Sequence, residues 1–175
     1  MHISSKVTRL FDFPYHQLQN YPQQDCLVSK ENNEWKSIST QKYIEDANTI
    51  SKALLNLGVN PGDKIAVITS VNQPKWHLLD IGVMQIGAVN VPLYPTFSEK
   101  DYAYILNHSD SMYCFVSDDE LSQTVIKVQG QTQLKKVFTF EELETNYGWN
   151  SFLNLGKDET HQTTVNELKK TIKPS

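Results

Sequence analysis

The feature that most constrains this chain is a succession of short apolar runs separated by stretches of helical period. Ile65-Ala66-Val67-Ile68 has no polar alternation, the mark of a strand covered on both faces. Val89-Asn90-Val91-Pro92-Leu93, Met112 to Val116 and the weaker Lys136-Val137-Phe138 read as three more strands. Between them Trp76, Leu79, Val83 and Ile86, then Tyr102, Ile105 and Leu106, then Leu121, Val125 and Val128 recur at helical spacing. Parallel strands need long crossovers, usually helices, so this alternation predicts an α/β fold. We expect three layers, with a mainly parallel sheet near 65–69, 89–93, 113–117 and 136–138 flanked by helices on both faces. Pro92 removes a ladder donor and argues for a strand end or a sheet edge.

Local signals fill in the rest. Asp25 to Ser29 and Trp35 to Ile38, joined by Glu31-Asn32-Asn33, predict a short N-terminal hairpin. Tyr43, Ile44, Ala47, Ile50, Ala53, Leu54 and Leu57 form one face of a helix over 41–57, capped by Ser39 or Thr40 and ended by Gly58. Pro74 suits a first helical turn, and Ser98-Glu99-Lys100-Asp101 has capping-box spacing. The tract Gln129 to Gln133 is expected to be an exposed loop. After Phe138, Thr139 with Glu142 and Thr164 with Glu167 predict two further capping boxes, with Trp149, Phe152 and Leu153 packing. Residues 1–24 are expected to form an arm and 25–175 one α/β unit. Lys169 to Ser175 reads as a linker, on which an enzyme chain rarely stops, so a truncated chain is expected.

At 175 residues and 39% hydrophobic, the chain can bury one ordinary core. Its net charge of -4 and scattered cations argue against DNA or RNA partners. No apolar run reaches the roughly eighteen residues needed to span a bilayer. A cytoplasmic location is expected, with room for peripheral contact at the inner membrane surface. Cys26 and Cys114 lack ligand or redox spacing and are read as buried thiols; no histidine pair has metal-ligand spacing. There is no GxxxxGK[ST], GxGxxG or GxSxG. Asp118-Asp119-Glu120 and Glu141-Glu142 are read as acidic groups complementing helix starts rather than as acid/base pairs. No catalytic residue is therefore assigned.

One ordered set of segments goes further. It comprises Trp35-Lys36-Ser37-Ile38-Ser39-Thr40, then Leu57-Gly58-Val59, Pro61-Gly62-Asp63-Lys64-Ile65-Ala66-Val67, Asn72 through Trp76, and Gln85-Ile86-Gly87-Ala88-Val89-Asn90-Val91-Pro92-Leu93-Tyr94-Pro95-Thr96. In this order and spacing they resemble the opening of the adenylate-forming superfamily. Tyr104-Ile105-Leu106-Asn107-His108-Ser109 and Pro92-Leu93-Tyr94-Pro95-Thr96 resemble its long-chain fatty acyl-CoA synthetase branch.

The resemblance implies an enzyme in which a fatty carboxylate attacks the α-phosphorus of ATP, with Mg²⁺, and the CoA thiol then displaces AMP. In relatives, a linker like the present one is followed by the phosphate loop YTSGTTGxPKG, which is absent here. The implied partners are fatty acid, ATP, CoA and the rest of the synthetase chain, and the 175 residues alone are expected to be inactive. Ligand-facing loops are expected at the carboxyl ends of the strands. By resemblance, Tyr94, Pro95 and Thr96 fall on the CoA side, although relatives carry glycines where Pro95 and Thr96 stand; the expected substrate side is Asn72 and Trp76. A packed Tyr94 beside a Pro95 that merely stiffens a turn remains the other reading. Two other classes stay open at this point: a free-standing flavodoxin-like binding or regulatory domain, and a structural or interaction module.

Overall fold

The computed structural model describes residues 7–31, 33–143 and 147–174. A 3-10 turn, Leu10–Asp12, leads into α1 (Phe13–Asn20), and the hairpin β1 (Leu27–Glu31) and β2 (Glu34–Ile38) follows. Then come α2 (Thr40–Asn56), β3 (Lys64–Ile68), α3 (Pro74–Gln85), β4 (Val89–Leu93), α4 (Glu99–His108), β5 (Ser111–Val116), α5 (Asp119–Gln129), β6 (Lys136–Thr139), α6 (Trp149–Asn154) and α7 (Gln162–Thr171). The four main strands are parallel in the order β4-β3-β5-β6, so the expected α/β class holds, and Pro92 lies on an edge strand. None of the described helices is long and apolar enough to cross a membrane.

Strand alternation divides the core into two clusters. Ile65, Val67, Tyr113, Phe115 and Phe138 pack with residues of α2, α3, α6 and α7, among them Ile50, Leu79, Phe152 and Val165. The intervening Ala66, Ile68, Cys114, Val116 and Val137 pack with Tyr102 and Leu106 of α4 and with Leu121, Val125 and Val128 of α5. Three layers follow from this two-residue period. Burying each large aliphatic side chain contributes about 1.5–3 kcal/mol, so two continuous clusters account for the persistence of the sheet.

The helix ends follow the expected chemistry from Ser39 to Asp118. Ser39 Oγ accepts from the Lys42 amide, Ser98 and Asp101 close a capping box, and Asp118 Oδ1 accepts from the Leu121 amide. Gly58, at φ 79, ends α2 in the left-handed conformation, and the Val59 amide reaches back to the Leu54 carbonyl. Asn33, at φ 65, turns the hairpin; its neighbour Asn32 lies outside the described residues.

The structure corrects several expectations. Residues 7–24 hold the 3-10 turn and α1, with Phe11 buried, where only an arm was expected. Thr139 caps no helix: it ends β6, and its hydroxyl accepts from the Glu141 amide. The next helix, α6, starts at Trp149 after Gly148, because pairing with β5 holds Thr139 in the sheet opposite Val116. Thr164 lies inside α7, which begins at Gln162 with His161 as its N-cap. Cys26 is half-buried and its thiol donates to Gln17 Oε1, so only Cys114 is a fully buried thiol.

The α6–α7 segment is seated on α2 by close approach. A Cβ at Gly156 would lie 2.0 Å from the Thr49 carbonyl oxygen, so only glycine fits there. Lys52, 4% exposed, reaches Glu159 at 2.8 Å, and Asn56 bonds both the Leu155 carbonyl and His161.

A cleft at the carboxyl edge of the sheet

The chain runs outward from β3 to β4 and then returns to place β5 on the other side of β3. The carboxyl ends of β3 and β5 are therefore a topological switch point, where α/β sheets open a crevice because successive connections diverge. Ser70, Ser117 and Asp118 meet there. The Ser70 amide donates to Ser117 Oγ (3.0 Å), and the Ser70 and Ser117 hydroxyls donate to Asp118 Oδ2 at 3.1 and 2.6 Å. With Oδ1 held by the Leu121 amide at 2.9 Å, both oxygens of Asp118 are engaged in building the loop, which leaves it poorly placed as a general base.

Glu141, in the loop after β6, supplies a further cap. Its Oε2 accepts from the Asp119 amide at 2.9 Å, adding negative charge at the start of α5. The expectation that Glu141 and Glu142 complement a helix start of their own is thus corrected: Glu141 serves α5, and Glu142 pairs with Lys75 at the start of α3. Lys75 Nζ also donates to the Phe140 carbonyl at 2.6 Å, tying the loop after β6 to α3.

Beside this knot lies a cleft of about 250 Å³ lined by Ser70, Pro95, Phe97, Tyr102, Asp118, Glu120, Leu121 and Thr124. The loops after β3, β4 and β5 all contribute. Two carboxylates and no cation line it, so it disfavours phosphate groups and suits an uncharged chain bearing amides or hydroxyls. Burial raises the Tyr102 phenol above its usual range, and its hydroxyl donates to the Tyr94 carbonyl at 3.0 Å. Burial also pushes the Cys114 thiol up, which removes it as a nucleophile.

The structure separates the five expected site residues. Pro95 lines the cleft. Tyr94 is 71% exposed, with its ring edge-on to Phe97 at 5.6 Å, so the packed-core alternative for Tyr94 is overturned; Thr96 is exposed beside it. Asn72 instead borders a separate depression of about 130 Å³ with Leu27, Val28, Gln73, Pro74 and His77. Trp76 is half-buried against the first core cluster and edge-on to His77. The reading of the residues did not single out Phe97, Tyr102, Ser117 or Thr124 for the cleft. Ser117 carried a usable signal, being the first polar residue after an apolar strand.

The comparisons with known proteins agree with this architecture. The family model described as AMP-binding enzyme matches residues 15–170. The long-chain-fatty-acid–CoA ligase ACSBG2 of Xenopus laevis is 26% identical over 165 residues, covering 88% of this chain and 22% of that protein. Fatty acyl-CoA synthetase A of Dictyostelium discoideum is 29% identical over 119 residues, covering 68% of this chain and 17% of its own length. The chain thus spans about a fifth of these curated relatives. Among solved structures, a long-chain-fatty-acid–CoA ligase from Archaeoglobus fulgidus superposes with a TM-score of 0.72 at 16% identity, over 84% of this chain and 30% of that one. The anthranilate CoA ligase AuaEII, in complex with anthranoyl-AMP, gives 0.69 at 17% identity, over 82% and 26%. With the family model matched from α1 to α7, the chain belongs to the AMP-binding enzyme family.

Proposed function

We propose that these residues form the N-terminal α/β subdomain of an AMP-forming long-chain fatty acid–CoA ligase. The observation that carries the reading is the family match over residues 15–170 together with relatives named as long-chain fatty acid–CoA ligases. The longer protein uses fatty acid, ATP with Mg²⁺, and CoA, in the cytoplasm or at the inner membrane surface. The fatty carboxylate displaces pyrophosphate from ATP, and the CoA thiol then displaces AMP from the acyl-adenylate.

The residues present do not fit the metal. No group of three His, Cys, Asp or Glu among the described residues could hold an ion, and the cleft offers no cation to a triphosphate. No step of the chemistry is therefore routed through Mg²⁺ by this chain. Its own contribution is a wall: Tyr94, Pro95 and Thr96 border the path of the thiol-bearing arm of CoA, with Asn72 and Trp76 on the side of the acyl substrate. An apolar acyl path contributes about 0.8 kcal/mol per methylene buried. The purified 175-residue chain should release no pyrophosphate in response to fatty acid above a heat-killed control, whereas the longer protein should do so with ATP, Mg²⁺ and CoA. Turnover by the 175 residues alone would refute the assignment of the catalytic groups to other segments.

A further inference from the structure

At the opposite side of the fold from the cleft loops, residues more than 150 positions apart join in a part-buried polar chain that runs inward to the buried Gln85 and Ser51. The Arg9 side chain donates to both oxygens of Asp12, at 3.0 and 2.8 Å, and lies 4.4 Å over the Phe11 ring. Its Nη1 also donates to two carbonyls at the end of α7, those of Lys169 and of Ile172, the latter at 3.0 Å. Lys169 answers in the other direction: its Nζ donates to the Tyr15 hydroxyl at 2.9 Å and sits 4.5 Å over the Tyr15 ring. The Tyr15 hydroxyl lies 2.5 Å from Gln85 Oε1 and 3.1 Å from Asn48 Oδ1. Gln85 Nε2 donates in turn to Ser51 Oγ at 3.0 Å, and Ser51 donates to the Gly82 carbonyl at 2.7 Å.

We propose that residues 9–15 are a clasp: they hold the C-terminal half of α7 onto α2 and α3, and the two segments open and close together as one unit without disturbing the sheet. The division of labour along α7 supports this. Its first half is anchored by Val165, fully buried in the main core. Its second half has Leu168 part-buried against that core and is tied down by Arg9 and Tyr15, while Lys170 and Thr171 are exposed and Ile172 packs against the small Phe11–Ala47–Ile81 cluster. Charge-assisted hydrogen bonds to carbonyls at a helix C-terminus are among the stronger ones and also complement its dipole. Burial lowers Lys169 and raises Tyr15 to about 12, which marks both groups as taken from water. Because the chain ends on the buried Gln85 and Ser51, its arrangement is fixed from the inside, and the clasp sets the direction in which Ile172 to Pro174 leave α7.

The test is amide hydrogen exchange by mass spectrometry on the 175-residue chain with Tyr15→Phe and, separately, Arg9→Met. Loss of one such bond should speed exchange in 166–172 and in 10–18 together, by roughly tenfold, while peptides of β3 and β5 change less than twofold. Lys169→Met added to Tyr15→Phe should bring only a small further acceleration, because the hydrogen bond between the two is already gone and only the contact of Nζ with the ring is left to lose. If Arg9→Met fails to fold, Tyr15→Phe alone decides. Acceleration of α7 without residues 10–18, acceleration shared equally by the sheet, or no change in either segment overturns the clasp.

Discussion

The two faces of the sheet are built from alternate residues of the same strands, yet they differ in kind. The face under α2, α3, α6 and α7 is aromatic. Phe115 lies 5.1 Å from Phe138 and 4.8 Å from Phe152, and Phe140 meets Trp149 edge-on at 5.2 Å. The face under α4 and α5 is mainly aliphatic, with Tyr102 at its end. Only this second face continues into the cleft: Tyr102 and Leu121 belong to its cluster, Phe97 packs against it, and no lining residue belongs to the first. Interlocked rings lose much when one is removed, whereas a cluster that ends in an open cleft tolerates adjustment at its rim. Stability should therefore concentrate on one face and ligand contact on the other.

Phe115→Ala should produce the largest effect. The side chain is fully buried and touches three other rings, so truncation leaves a cavity in the aromatic face and costs about 3–5 kcal/mol. Equilibrium denaturation of the 175-residue chain measures it; a loss below about 1 kcal/mol would mean that the aromatic face is not the stabilising one.

The aromatic face also shows where the sequence is legible and where it is not. Strands β3 to β6 and helices α2 to α5 follow from local period and capping, because each element's apolar residues lie within a few positions of one another. Asp101 three residues after Ser98 announces its box, and Pro92 announces an edge. What the sequence hides is made by long-range pairs. Thr139 looks like a cap until its pairing with β5 keeps it extended, and Glu141 caps a helix that starts 22 residues earlier. Helix α1 is short and lacks a clear apolar period, and Tyr15 within it finds its partners on α2, α3 and α7. The cleft's place at the carboxyl edge is legible from strand order, and Pro95 lines it, whereas Asn72 borders a separate depression because α3 starts beside the hairpin, a proximity no local pattern announces.

Tyr102→Phe should have an intermediate effect that sharpens the contrast. It keeps the buried ring but deletes the hydrogen bond to the Tyr94 carbonyl, for a net cost of about 1 kcal/mol. The loss should fall on the loop 94–97 rather than on the core. Limited proteolysis there should quicken while the denaturation slope stays unchanged. A cost as large as that of Phe115→Ala would erase the distinction between the faces.

Thr96→Trp should have the smallest effect on stability and the most selective one on function. Thr96 is exposed on the loop after β4, and a substitution at such a position usually stays within about 0.5 kcal/mol. The bulk of an indole beside Pro95 and Phe97, however, would narrow the approach to the cleft. Under the proposed function, the longer enzyme carrying this change should form acyl-adenylate at nearly the wild-type rate but thioester more slowly, since only the second half-reaction needs the CoA arm. The two half-reactions separate experimentally, as pyrophosphate release without CoA and acyl-CoA formation with it. A selective loss in the second would place the thiol-bearing arm along Tyr94, Pro95 and Thr96. Equal rates in both, from a protein with unchanged denaturation midpoint, would make this loop structural and send the CoA path to another edge of the fold.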